Sequence, residues 1–497
     1  MGQRQVTVFD VLIEYGIIIL LFFTPVAFGT IEFWSVTVME IGVFILTLIW
    51  ILKMFIQKKV SIVESPINLV IILFLILVTF QLMPFPDPLI SLISPNTKRV
   101  FDFYTSDFSN LLNLKTFSLN PWVTRGELLK LLTYGMVYFL VASNFNGKKK
   151  KNKLILSIMI IGFIEAFYGI IQYVGGDRMI FHFTLLHHEK GRLISTFPNP
   201  DHFSAFIKMC IFLSLGYLIY FFDKENVNKN FEFYEGDKLS KRGKKKRWKR
   251  ILNILREIRN FAFYDRNGGK SLLLASFLIV MIVALIFTKS RTGILSFLVC
   301  FVFFGLLTLL RGSLKRHLWI LSLILIITLA FGSWIGLASV FDRYFNFSLK
   351  EDLEEGRLSI WKSTYNIFKD YPVLGTGFGS FVYIFPSYSL RSNQAWVNHA
   401  HNDWLELLSD TGIIGFLIIF SGAFYLNILC LKKVLKIKNY SQIWIFLGGY
   451  TSILSIIIHS FADFNLRSSA NAFLVAVIIG LLVSFAAEPY EKIRDKR

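Results

Sequence analysis

Residues Val397–Leu417 read VNHAHNDWLELLSDTGIIGFL, in which two histidines, two Asn residues and three acids run directly into an apolar segment. A polar stretch passing into a helix without a break marks a boundary between a loop outside the bilayer and a membrane span. Most of the remaining chain supports that reading. Hydrophobic residues make up 54% of the sequence and aromatic residues 16%, and apolar runs of about 20 residues, enough to cross a hydrocarbon core, recur from end to end. The composition therefore predicts an all-α polytopic membrane protein and excludes an ordinary soluble domain.

Hydropathy places about 12 spans near 9–29, 34–53, 66–84, 128–144, 154–174, 203–222, 271–288, 293–310, 318–338, 413–431, 443–461 and 470–487. The first run leads into Thr24-Pro25, lacks a small-residue cleavage pattern and meets a second span at once, so it reads as a retained helix. Alternate loops are basic: Lys53/Lys58/Lys59, Lys148–Lys151, Lys238–Arg259, Arg311/Lys315/Arg316, Lys432–Lys438 and the tail from Lys492. Lys and Arg accumulate in cytoplasmic loops, so both termini are expected in the cytoplasm, and the net charge of +20 needs no nucleic acid to explain it. Cys210, Cys300 and Cys430 all lie in apolar runs and form no disulfide or metal pattern.

These boundaries divide the chain into a four-span region (1–150), spans five and six with an outer loop (151–222), a basic cytoplasmic insert (223–270), a core (271–487) holding a large outer loop (341–411) between spans nine and ten, and a cytoplasmic tail (488–497). In the insert, Ile251, Ile254, Leu255 and Ile258 recur at helical spacing behind a Lys/Arg run. That pattern suits an amphipathic helix on anionic lipids.

Chemistry-bearing side chains concentrate on the outer face. Lys289-Ser290-Arg291-Thr292-Gly293 joins two spans in a tight turn, where the Arg291 fork can bind phosphate oxygens; the alternative is a side chain that only snorkels to the headgroups. Arg192 precedes the turn Ser195–Asp201, and Pro198 and Pro200 there read as helix-start residues. Arg357 heads a helix that ends at Asp370-Tyr371-Pro372, followed by Gly375, Gly377 and Gly379; with no preceding strand, this is not a nucleotide loop. His401 sits at a helix entrance, where a neutral imidazole can take a proton from a hydroxyl. Asn402 reads as a cap, and Glu406, one turn along, is expected to orient His401. His399-x-His401 lacks a third ligand at metal spacing. The turn His459–Arg467 reads as pocket lining.

Ser290-Arg291-Thr292-Gly293, Arg192 with Thr196-Phe197-x-Asn199-Pro200, Arg357-x3-Trp361 with the glycine turn, and His401-Asn402-Asp403-Trp404-Leu405 before Gly412 and Gly415 together resemble the O-antigen ligase/polymerase family of bacterial membrane glycosyltransferases. The resemblance covers roughly residues 155–480; Asp201 departs from the Asn frequent at that position. It implies a GT-C-like, metal-independent, inverting enzyme of the bacterial inner membrane, with no cofactor and its active site on the periplasmic face. The donor would be an undecaprenyl-diphosphate-linked glycan and the acceptor a hydroxyl of lipid A-core, of a growing glycan or of a protein. In that frame His401 and Arg291 are the expected catalytic residues, and Arg192, Arg357, Glu406 and Asn402 the expected diphosphate or glycan contacts. Protein O-oligosaccharyl transfer is an alternative within the family. A polysaccharide transporter or flippase is the alternative outside it, with Glu165 and Lys208 as the obvious intramembrane charges.

Overall fold

A computed structural model describes residues 7–104, 114–176, 179–181, 183–184, 191–228, 266–310, 356–390, 397–436 and 442–487. The amphipathic insert helix, the expected span at 318–338, the first part of the 341–411 loop and the tail from 488 lie outside the described residues.

The described helices are α1 (Val8–Val26), α2 (Phe33–Gln57), α3 (Pro66–Leu82), the short α4 (Asp87–Ile93) and α5 (Pro95–Tyr104), α6 (Pro121–Asn144), α7 (Lys148–Val174), α8 (Pro200–Asn228), α9 (Arg266–Phe287), α10 (Arg291–Leu310), α11 (Arg357–Asp370), α12 (Phe381–Ile384), α13 (Asp403–Lys436), α14 (Ile443–His459) and α15 (Ser469–Ala487). Among the described residues nine helices are long and apolar enough to cross a membrane, and α3 and α14 are shorter apolar helices. Each coincides with an expected span. Two small antiparallel strand pairs, Phe85–Pro86 with Leu114–Lys115 and Met179–Ile180 with Phe183–Thr184, lie in the connections between helices.

Bounds of the helices follow local chemistry. Thr7 and Asp10 form a capping box at the start of α1, and Pro66, Pro121 and Pro200 occupy first-turn positions, where a missing N–H costs nothing. The helices bury apolar side chains inward and present Phe33, Phe55, Leu310 and Phe424 outward, the arrangement expected where lipid is the solvent. Helices α8 and α14 make the closest approach: a Cβ on Gly216 would lie 2.2 Å from the Trp444 carbonyl oxygen, and one on Gly448 2.5 Å from that of Phe212. Small residues at such a crossing let backbones pack where no hydrophobic driving force separates helix from lipid.

The two ends of the bundle differ. At one, Lys53 donates to Asp10 (3.1 Å) and Asn144 (2.8 Å), and Lys150 also reaches Asp10 (3.1 Å), so the basic ends of α2 and α7 meet the start of α1. At the other, the Thr196 hydroxyl lies 2.8 Å from the Pro25 carbonyl oxygen and Ser468 donates to that of Gly29 (3.0 Å). The basic turns and the Arg192 loop thus lie at opposite ends of the helices.

Candidate functional site

Four helix starts meet at that second end. Asn402 is the N-cap of α13, its Oδ1 accepting from the Leu405 N–H (3.0 Å). Ser290 caps α10 through the Gly293 N–H (3.1 Å), and Asn199 accepts from the Asp201 N–H (2.8 Å) at the start of α8. Arg357 opens α11. Each start directs positive partial charge along its axis, which favours an anion nearby. Three loops entering these helices hold a non-glycine residue in the left-handed region: Ser195 (φ 59°), Lys289 (φ 52°) and His401 (φ 50°). Such backbone costs about 1–2 kcal/mol per residue and persists where surrounding contacts over-determine it.

The reversal at His401 decides which acid meets which histidine. His401 Nδ1 lies 3.5 Å from Asp463 Oδ1, while His399 Nδ1 lies 2.9 Å from Glu406 Oε1. The expected Glu406–His401 contact is therefore corrected: Asp463 is the carboxylate at His401, and Glu406 also accepts from the Ala400 N–H (2.8 Å) and pairs with Arg467 (2.8 Å). Because the φ of His401 turns the chain back, the helical spacing that aligned Glu406 with residue 402 says nothing about residue 401. The two histidines of the H-x-H sequence also part, each to its own carboxylate.

Asp463 is 1% exposed. Burial works to raise its pKa, but His401, His459 and Arg357 outweigh that and hold the carboxyl well below the usual carboxylate range. His459 Nε2 and the Thr292 hydroxyl lie 3.0 Å apart, which sets Arg291 one residue from this cluster. Lys208, fully buried on α8, donates to Ser296 (2.6 Å), and its charge acts on both Asp463 and His459. The Phe464 ring fixes three imidazoles, with His399 stacked at 4.6 Å and His202 and His401 edge-on at 4.8 Å. His401 stays partly exposed, its side chain at 36%. Nδ1 is on the Asp463 side at 3.5 Å, longer than an ordinary hydrogen bond, and Nε2 is the other ring nitrogen that a substrate hydroxyl could meet.

Arg192 is placed differently from a bare cation. Its Nε donates to the Thr288 carbonyl (2.9 Å) and its Nη2 to Asp201 (2.8 Å), and it is 8% exposed. Together with the Leu193 N–H bond to the Phe287 carbonyl (2.9 Å), it ties its loop to the turn that carries Arg291. Beneath, the buried Glu165 accepts from Ser195 (2.6 Å) and Thr196 (2.7 Å). This intramembrane acid anchors the Arg192 loop.

Arg467, read from sequence only as pocket lining, organises the far side of the His401 loop and does line the cavity there. Its guanidinium contacts Glu406 (2.8 Å), Asp410 (3.0 Å) and Glu127 (3.5 Å) and lies over the Phe378 ring at 5.1 Å. Burial works against its charge, but these acids raise its pKa further, so the cation is held. The glycine turn packs here. A Cβ on Gly375 (φ 69°) would lie 2.3 Å from the Asp410 carbonyl carbon, and one on Gly412 (φ 62°), where α13 kinks, 2.3 Å from the Val373 carbonyl oxygen. Gly379 N–H then donates to Asp410 Oδ2 (2.8 Å). A lone charged residue in a short turn between spans was the available signal for both Asp463 and Arg467.

The family model described as O-antigen ligase matches residues 276–420, the segment carrying Arg291, Arg357 and the His401 loop. This region is an O-antigen ligase domain. The match supports an O-antigen ligase/polymerase-like enzyme, and the apolar helices a membrane protein. No curated protein matches it significantly. The matched O-antigen ligase segment is narrower than the resemblance traced from sequence, and Arg192, His459, Asp463 and Arg467 contribute to the site from outside it.

Proposed function

We propose that the protein transfers a glycan from an undecaprenyl-diphosphate carrier to an acceptor hydroxyl, with inversion at the anomeric carbon and without a metal ion, at the outer face of the bacterial inner membrane. The observation that carries this reading is the His401–Asp463 pair set among cationic helix starts within and beside an O-antigen ligase domain. The acceptor oxygen attacks the anomeric carbon as the bond to the diphosphate oxygen breaks. The leaving diphosphate takes the electron pair, and His401 Nε2 takes the hydroxyl proton. Asp463 orients the imidazole and balances the imidazolium that forms. Arg291 and Arg357 neutralise the charge that develops on the leaving group, assisted by the helix starts. Arg192, paired with Asp201, holds the Arg291 turn in position. Glu406 and Asn402 shape the loop, one by holding His399 and the Ala400 N–H, the other by capping α13.

The test is incubation of purified protein with a synthetic undecaprenyl-diphosphate glycan and a panel of hydroxyl acceptors. Diphosphate carrier release coupled to a new glycosidic bond is expected, with inverted configuration by NMR. Movement of the intact donor across a vesicle without bond cleavage would instead make the protein a transporter.

A further inference from the structure

A cavity of about 370 Å³ lies on the other side of the His401 loop, bounded by α3, α6, α13, α14 and α15. Its walls are apolar, with Phe74, Ile419, Leu426, Ile456 and Val475 among them, and Ala423 and Ala472 give it width. The cavity is partly open to the surroundings of the helices, and its apolar walls do not hold ordered water. Between membrane-spanning helices the available filler is a hydrocarbon chain.

The polar end of the cavity limits the headgroup such a chain can carry. Glu127, Lys130, Asp403, Ser460 and Arg467 line it. Lys130 is bonded to Glu127 (2.7 Å), and Arg467 is engaged by Glu406 and Asp410 (2.8 and 3.0 Å). Both cations are committed to carboxylates, and burial pushes the Asp403 carboxyl up to about 7. A diphosphate placed here would find the lining cations already engaged. Hydroxyl groups would find carboxylate oxygens able to accept their hydrogens. Asp403 is two residues from His401, and its N–H bonds to the carbonyls of Ser460 and Asp463 (2.9 and 3.1 Å), so this end of the cavity is built on the backbone that positions the base.

We infer that the cavity seats the hydrocarbon chain of the acceptor, which is a membrane-anchored glycolipid whose sugar next to the chain is uncharged. The inference rests on the glycosyl-transfer reading and separates the two substrates. The diphosphate lipid engages the arginine side of the His401 loop, and the neutral glycolipid engages the acidic side.

The experiment uses the full chain in nanodiscs and a diazirine-bearing alkyl glycoside, with the same alkyl chain carrying a diphosphate and a diazirine phosphatidylethanolamine as comparators. Photolabelling by the glycoside is expected on cavity residues of α13 and α15, at least tenfold above both comparators, and to fall at least tenfold in Ala472→Trp. Ala423→Leu is a milder plug, should the larger one not fold. In the transfer assay the plug raises KM for the alkyl glycoside acceptor at least tenfold and leaves KM for the diphosphate donor unchanged. Preferential labelling by the alkyl diphosphate, equal labelling by phosphatidylethanolamine, labelling insensitive to both plugs, or a raised donor KM would each overturn the inference. If the wild-type protein transfers glycan to no acceptor, the glycosyl-transfer reading fails, and the labelling alone decides whether the cavity holds a neutral glycolipid.

Discussion

On one side of the His401 loop, His401, His459 and Arg357 act on the Asp463 carboxylate, with Arg291 beside the Thr292–His459 contact. On the other side the signs are reversed: one guanidinium, Arg467, is held by Glu127, Glu406 and Asp410 and backs onto an apolar cavity. Arg291 and Arg357 open helices on the cationic side, where their guanidinium groups and the helix starts favour an anionic ligand. On the acidic side the cations are fully committed, so its charges hold the fold together. Substitutions of the reacting groups His401 and Arg291 should therefore change catalysis and leave stability alone, and substitutions on the second side should do the reverse.

The largest effects are expected at the reacting groups. His401→Ala should lower kcat by about 10²–10⁴-fold, the usual contribution of a general base, and Arg291→Ala by about 10²–10³-fold, the usual contribution of one charge-stabilising donor. Both variants should insert and melt like the wild type. Near-normal product from either in the purified assay would remove it from the mechanism. Asp463→Asn keeps the shape and loses the charge, so kcat should fall by about 10²-fold with KM little changed. A change in KM alone would mean that Asp463 contacts substrate instead of orienting His401.

Arg467→Met addresses the acidic side. Removing one partner from a buried ion cluster leaves uncompensated charge and costs about 3–5 kcal/mol, so a clear drop in melting temperature is expected in detergent. Arg467→Lys should recover part of it, because an ammonium cannot reproduce the fork geometry. If Arg467→Met melted normally yet lost activity, the division between the two sides would be wrong at this residue.

How far these sides were legible in the sequence depends on the range of the interaction. The spans were legible because hydropathy over about 20 residues is a local property, and eleven apolar helices fall where expected. Asn402 was readable as a cap for the same reason, since its partner Leu405 is three residues away. The pairing of acids with histidines was not readable. Asp463 is more than 60 residues from His401 in the chain, and the two meet through the turn after α14. Glu406 was assigned to the wrong imidazole because a single left-handed residue reverses the loop, and His carries no glycine-like warning of that conformation. Arg192 read as a ligand-facing cation, yet Asp201, the position that departs from the family pattern, partly neutralises it.

The smallest expected effect tests the electrostatics of Asp463 directly. Its carboxyl is held below its ordinary value in the folded protein, so the charged form is bound more tightly by the fold than by the unfolded chain. The stability this contributes is fully present above the unfolded carboxyl value of about 4 and is lost as pH falls through the lower folded value. The difference in melting temperature between wild type and Asp463→Asn should therefore not fall from pH 8 down to about 5, where histidines near the carboxylate can only gain charge, and should shrink only below about 4. The other buried carboxylates are unchanged in the variant, so the difference isolates Asp463. A difference that already shrinks between pH 7 and 5 would mean that the carboxyl is not held ionised by His401, His459 and Arg357.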